Sequence, residues 1–279
     1  MAVVSGVLFA VNIGGTAVPA VGLWSVEYTH EPAVYAALET RGAMRRVCGP
    51  KRWRGRVAGF GVPPALLPGD GLSSPVGFVG AIAPTWATTP PPATPGVSGD
   101  IVVRSLAVQG DFDSNAPLQW QIEFVGASAL TTGDVSVGIP SGAPPACSEG
   151  SSVLWNGVAL PDVARWQFSL VDALESYISS GTAGVEKHVR GLRDAQLQYT
   201  QYADSAASLP SIGDVQSAKV VMATGDEFFF DYMKMLEWTV NAQRSSSKPF
   251  AFDVRMGLCI VNPSGTLGTV KRNTTVWIP

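Results

Sequence analysis

Residues 15–30 read GTAVPAVGLWSVEYTH, and residues 157–172 read GVALPDVARWQFSLVD. The two stretches lie 142 positions apart. At that spacing Gly15, Ala17, Pro19, Val21 and Trp24 fall on Gly157, Ala159, Pro161, Val163 and Trp166. Without a gap, Tyr35, Thr40, Gly42, Val47 and Gly49 fall on Tyr177, Thr182, Gly184, Val189 and Gly191. Chance would supply about two identities over such a window at average composition. The chain therefore contains an internal duplication, and a duplicated chain points to a pseudo-symmetric assembly.

Working outward, the dominant period is two. Trp24, Val26 and Tyr28 alternate with Ser25, Glu27 and Thr29, and the second copy sets Trp166, Phe168 and Leu170 against Gln167 and Ser169. Such alternation places the aromatics on one face of a strand. Trp120-Ile122-Phe124, Ala195-Leu197-Tyr199 and Phe250-Phe252-Val254-Met256 repeat the pattern. The fold class read from this is mainly β. Helix is expected only in short pieces. One is Ala33–Leu38, after Glu31-Pro32, with Pro in the first turn; the other is Asp172–Ile178, with Asp172 as N-cap.

The duplication divides the chain into a first unit over 1–128 and a second over 152–260. Residues 129–151, rich in Ser, Thr, Gly, Pro and Ala, read as a linker. The Pro-rich stretch 62–98 reads as a loop inside the first unit, because its prolines donate nothing to a ladder. Gly99-Asp100 matches Gly225-Asp226 at a spacing of 126, whereas Trp120 and Ile122 match Phe252 and Val254 at 132. On that alignment the first unit has sixteen extra residues before its hairpin, and the second hairpin is six residues longer. The segment 261–279 is an extended arm, left open between crossing to a neighbour and folding back on its own unit.

Composition narrows the function classes. The chain has 279 residues, of which 15% are charged, against roughly 25% in ordinary soluble proteins. A subunit that hides several faces in an assembly accounts for this better than a monomer. The net charge of −3 argues against tight nucleic-acid binding, which needs phosphate-neutralising Lys and Arg. No apolar run has the length of a membrane span. MAVVSGVLFAV has no cation before Arg41, so no secretory leader is expected, and Cys48, Cys147 and Cys259 read as reduced thiols.

The search for chemistry returns little. No GxSxG, HExxH, GxxxxGK[ST] or GxGxxG occurs. His30 and His188 read as solvated or packing residues. Asp111-Phe112-Asp113-Ser114-Asn115 opens like a calcium loop, but Ala116 and Ile122 stand where Gly and Glu are needed, so it reads as a polar hairpin tip. Asn273-Thr274-Thr275 is a glycosylation acceptor with no use outside a secretory route. Arg45, Arg46, Lys51, Arg52, Arg54 and Arg56 form one basic cluster, diluted in the second copy to Lys187, His188, Arg190 and Arg193. That cluster reads as ion pairing between subunits or a solvated face. The matched positions are Gly, Trp and Tyr, which are scaffold types, and no polar constellation is shared. No catalytic, cofactor-binding or metal-binding residue is assigned, no cofactor is expected, and the chain does not read as an enzyme.

A Gly turn, a strand ending WSVEY at 24–28, a short helix, and then RRVCGPKRWRGRVAG at 45–59 resembles the tail tube proteins of long-tailed bacteriophages. The resemblance covers about 8–126 and 150–258, although Ala195 and Leu197 replace Trp53 and Gly55 in the second copy. It implies two tandem β-sandwich-like modules, each with one short helix, whose long hairpins near 100–125 and 226–256 join an intersubunit β-barrel. It also implies trimeric, pseudo-hexameric rings that stack into a tube passing double-stranded DNA without specific binding. The implied partners are further copies of the chain and tape-measure, baseplate and tail-terminator proteins, with no membrane. The implied location is the virion, after assembly in the host cytoplasm. Two alternatives stand beside it. One is a single-ring baseplate hub or tail-completion protein. The other is a β-sandwich binding module, for which Trp86 and Trp155 are the loose aromatic candidates.

Overall fold

The computed structural model describes residues 9–30, 32–35, 43–47, 49–82, 94–114, 116–138, 145, 147–179, 184–203, 211–241, 250–259, 265 and 268–278. The described residues are all β, with no helix among them. Seventeen strands join in one antiparallel sheet, and two more form a small separate pair. The strands of the N-terminal part are β1 (Phe9–Ile13), β2 (Thr16–Ala17), β3 (Val21–His30), β4 (Ala33–Tyr35), β5 (Arg45–Val47), β6 (Lys51–Phe60), β7 (Val76–Ile82), β8 (Thr94–Asp111), β9 (Gln119–Gly126) and β10 (Thr131–Val135). Then come β11 (Ser152–Trp155), β12 (Val158–Ala159), β13 (Val163–Tyr177), β14 (Lys187–Ala203), β15 (Val215–Val221), β16 (Glu227–Asn241), β17 (Phe250–Leu258), β18 (Val270–Arg272) and β19 (Thr275–Ile278).

The pairings repeat. β3–β6, β6–β9, β8–β9, β7–β8, β1–β7, β1–β2 and β8–β10 recur as β13–β14, β14–β17, β16–β17, β15–β16, β11–β15, β11–β12 and β16–β18. The register keeps the spacing of the sequence match. Trp24 lies opposite Val57, and Trp166 opposite Tyr199, each 142 residues on. The two sets are joined by a ladder that has no counterpart within either: β8 from Ser105 to Asp111 runs antiparallel to β13 from Val171 to Arg165. The pairings thus give one continuous row of eight strands, β3-β6-β9-β8-β13-β14-β17-β16.

Cross-strand pairs correct the hairpin alignment. Val103 lies opposite Phe124 and Met235 opposite Met256, a spacing of 132 on both arms, so the hairpins are equal in length. Both arms also bulge at matched places, at Arg104 and at Leu236. Gly225 is a turn residue with φ +84 before β16, whereas Gly99 lies inside β8. The length difference falls between β7 and β8: the spacing is 140 at Phe78 and Ala218 and 131 at Gly99 and Phe230.

Both expected helices fail where they are described. Ala33–Tyr35 is β4, paired with Arg45–Val47, while Ala36–Leu38 lie outside the described residues. Asp172–Tyr177 continues β13 against β14 out to Tyr177–Lys187. Asp172 does not cap a helix; its buried carboxylate accepts from Gly191 N at 3.2 Å and lies 3.5 Å from Arg190 Nε. The stretch read as a linker contains β10, and the proline-rich stretch contains β7 and the start of β8. The C-terminal arm folds back: β18 pairs with β16, and β19 turns onto β18.

The apolar faces of the strands meet in one main core, beside a small second cluster of Ala10, Ala81 and Val137. Phe78 of β7 lies 4.8 Å from Phe124 of β9 and 6.2 Å from Trp24 of β3, so β7 packs across the row. Phe228 and Phe230 of β16 pack on Phe168 of β13 at 4.3 and 6.2 Å. Glycines make room for the indoles: a Cβ at Gly126 would sit 2.1 Å from Trp53, and one at Gly110 would sit 2.6 Å from Trp166. Trp53 Nε1 donates to Ser128 O at 2.7 Å, which satisfies its polar end.

Two stability predictions result. Phe168→Ala opens a cavity under two phenylalanines and is expected to cost about 3–5 kcal/mol, read by chemical denaturation. The Tyr199 hydroxyl is buried, finds no hydrogen-bond partner among the described residues, and burial pushes its pKa up to about 12. The folded state thus holds this proton more tightly than the unfolded state, whose pKa is about 10. The stabilisation is full below pH 10 and is lost as pH rises toward 12, at most about 2–3 kcal/mol. Tyr199→Phe removes an unpartnered buried hydroxyl, so it should raise stability at pH 7 by about 1–3 kcal/mol and flatten the alkaline limb of a denaturation–pH profile.

Candidate functional site

Alternation gives the eight-strand row a second, polar face. In β9, Trp120, Ile122 and Phe124 are buried while Gln119 and Glu123 are exposed. Register then aligns like residues from strand to strand. Gln119 lies opposite Gln109, Gln109 opposite Gln167, Gln167 opposite Gln198, Gln198 opposite Arg255, and Arg255 opposite Glu237. Gln109 Nε2 donates to Gln119 Oε1 at 2.8 Å. The parallel row one pair away runs Ala58, Gln121, Ala107, Ser169 and Gln196. This band of amides crosses the β8–β13 joint without interruption.

Three arginines on this face are paired in place. Arg54 lies 2.8 Å from Glu27, Arg165 3.3 Å from Asp111, and Arg255 3.8 Å from Glu237. Arg56 stands opposite Glu123 in register, and Ser105 Oγ donates to Glu123 Oε2 at 3.2 Å. Thr200 Oγ1 donates to Asp253 Oδ1 at 2.6 Å. These exposed pairs add little stability. Their effect is on the field of the surface: each of these paired cations stands beside a carboxylate.

The basic cluster of the sequence is distributed by this geometry. Arg54 faces Glu27, and Arg52 lies 3.4 Å from Glu186, at the turn end of the β13–β14 hairpin. Lys51 N donates to Gly184 O at 3.2 Å. Of the histidines, His188 Nε2 lies 3.0 Å from Gly126 O, and His30 is exposed at the end of β3. Asp111 caps its hairpin tip, accepting from Ser114 N at 3.2 Å and pairing with Arg165. Trp155 lies in β11 and Trp86 outside the described residues. No group of three metal-ligating side chains occurs among the described residues.

A shallow groove of about 480 Å³ runs over the joint, lined by Gln109, Gln119, Gln167, Gln198, Arg165 and Arg255. Its chemistry is amide and paired charge. Such a surface offers hydrogen bonds to water and to a passing polyanion but no cluster of cations to hold phosphate. Sequence reasoning named the strands that carry these glutamines and missed the row itself. The signal was the recurrent Gln on the polar side of each alternating run, which becomes a surface only when register is known.

A second constellation, unread in the sequence, lies where the loop 61–72 meets the C-terminal strands. Arg272 is buried; its Nη2 donates to Pro63 O at 2.8 Å and to Asp226 Oδ2 at 2.7 Å, and its Nη1 donates to Pro64 O. Trp277 Nε1 donates to Pro68 O at 2.7 Å, and Trp277 O accepts from Arg193 Nη1. Arg193 lies 3.9 Å from buried Asp172, and its pKa is lowered by burial first and by Arg190 second, with Asp172 opposing. A Cβ at Gly69 would sit 3.0 Å from Asp172 Oδ2, so that glycine, at φ +93, lets the loop approach the pair. These contacts clamp the loop of the N-terminal part to the strands of the C-terminal part.

No protein-family model matches the chain, and no curated protein matches it significantly. The charge-balanced face makes its own prediction. Duplex DNA should show little binding to the purified chain at 0.15 M salt by fluorescence anisotropy. Replacing Gln109, Gln119, Gln167 and Gln198 together with Lys should create binding whose log K falls with log salt at a slope of about −3 to −4.

Proposed function

We propose that the chain is a structural virion protein, the subunit of a bacteriophage tail tube. In this reading residues 1–128 and 152–260 are two tandem sandwich-like modules. Three chains close a ring of six modules whose inner sheets form one continuous barrel, and rings stack into a tube that passes double-stranded DNA. The observation that carries the reading is the recurrence of seven strand pairings on either side of a strand-to-strand joint. Two like sets of strands joined edge to edge supply a repeating contact, and repeated head-to-tail contacts close into a ring if the rotation per unit fits.

The polar face supports the same reading. Six such faces in a ring would line a lumen with amides and balanced charge, over which a duplex slides without sticking. The low charge content fits a subunit with several covered faces. Partners in this role are other copies, a tape-measure protein, and the baseplate and terminator proteins at the tube ends, assembled in the host cytoplasm.

Electron microscopy of the purified full-length chain at high concentration tests this. Tubes with a regular axial repeat and six-fold appearance are expected. Single rings that never stack would favour a hub or tail-completion ring, and a monomer at every concentration would overturn the proposal.

A further inference from the structure

The in-chain joint is a template for a contact that the single chain leaves unmade. Before the joint, Val103 exchanges backbone hydrogen bonds with Gly69 and Asp70, at 2.8 and 2.9 Å. Met235 of β16 makes the same two bonds with Gly213 and Asp214, at 2.9 Å each. Both strands then bulge, and β8 goes on to pair with β13. Beyond its own bulge, Glu237–Asn241 of β16 has β17 on one edge and, among the described residues, no strand on the other. The counterpart of β13 is β3, which among the described residues pairs with β6 alone.

Burial marks both edges as incomplete. At the in-chain joint Leu106, Phe168 and Leu170 are 0% exposed and Val108 is 1%. Their counterparts on the open edges are Trp238, Val26, Tyr28 and Val240, of which Tyr28 is 48% and Val240 44% exposed. An edge with bare amides and exposed apolar side chains is a template for another strand. The joint already seen within the chain specifies which strand fits.

The two contacts differ in one respect. The in-chain joint is flanked by the clamp of Asp172, Arg193, Arg272 and Trp277. At the spacing of 142, Asp172 and Arg193 correspond to His30 and Lys51, and in the β10–β18 register Arg272 corresponds to Thr132. The open edges therefore carry the ladder without the carboxylate or the guanidinium of the clamp.

We propose that the free edge of β16 pairs antiparallel with β3 of a second copy in the register of the β8–β13 joint, and that this unclamped seam is where assemblies come apart. Leu106 opposite Leu170, Ala107 opposite Ser169 and Val108 opposite Phe168 become Trp238 opposite Tyr28, Thr239 opposite Glu27 and Val240 opposite Val26. The proposal rests on the self-assembly reading above and names its partner surface residue by residue.

The test is disulfide trapping in the full-length chain with Cys48, Cys147 and Cys259 replaced by Ser. Glu27→Cys with Thr239→Cys should give dimers and trimers on a non-reducing gel after mild oxidation, while either single variant should not. Moving one partner two residues, as Ser25→Cys with Thr239→Cys, should cut the yield at least tenfold. Rings or tubes in the microscope with no trapping, or with better trapping in the shifted pair, would overturn the register and leave the tube reading standing. Trapped trimers that never stack would support the seam and sink the tube. A chain that never self-associates would sink both. Hydrogen exchange on the unmodified protein is the independent measurement. Amides of 21–30 and 237–241 should gain protection on assembly, and in denaturant they should lose it at least tenfold faster than those of 105–111 and 165–171. Earlier loss at 105–111 would overturn the assignment of the weak seam.

Discussion

The antiparallel contact between β8 and β13 is the constraint on which the rest of this structure depends. It buries Leu106, Val108, Phe168 and Leu170 almost completely, and it makes two sets of strands into one sheet. To reach it, β8 must change partners along its length. Its N-terminal part lies between β7 and β10, and its C-terminal part lies between β9 and β13. The bulge at Arg104 marks the exchange, since an extra residue raises the local twist and turns the edge toward a new neighbour. Gly110, packed against the Trp166 indole, keeps the end of the joint narrow enough to close.

Around the joint, charge is used in two different ways. On the polar face, exposed Arg–carboxylate pairs contribute little energy and serve to neutralise the surface. Beside the joint, Asp172 and Arg272 are buried and Arg193 and Asp226 mostly so; the two guanidiniums donate to backbone carbonyls, Asp172 accepts from Gly191 N, and Arg272 pairs with Asp226. Buried pairs of this kind gain little over apolar packing, but they tolerate only one arrangement of their partners. Here that arrangement holds the loop 61–72 against β18 and β19.

Much of the strand content was legible in the chain. The alternating runs at Trp24, Trp120, Trp166, Leu197 and Phe252 form β3, β9, β13, β14 and β17, because a period of two is a direct consequence of strand geometry. The helix readings failed for a local reason. Asp172 before a mixed apolar run has the form of an N-cap, but its carboxylate is engaged by Gly191 and two arginines across the sheet, and tertiary pairing overrides the local signal. The hairpin lengths were misread because Gly-Asp occurs in both units at places that are not equivalent: inside β8 in one and in the turn before β16 in the other.

What the sequence determined by itself is the duplication, the β character and the side of each strand that faces the core, since each is a property of spacing along one chain. The tertiary structure alone decided which edges meet. Residues at 109 and 167, or at 193 and 277, become neighbours only through strand register, and register is set by long-range pairing that leaves no local trace. The glutamine row, the clamp on the proline loop and the two unfilled edges all follow from that register.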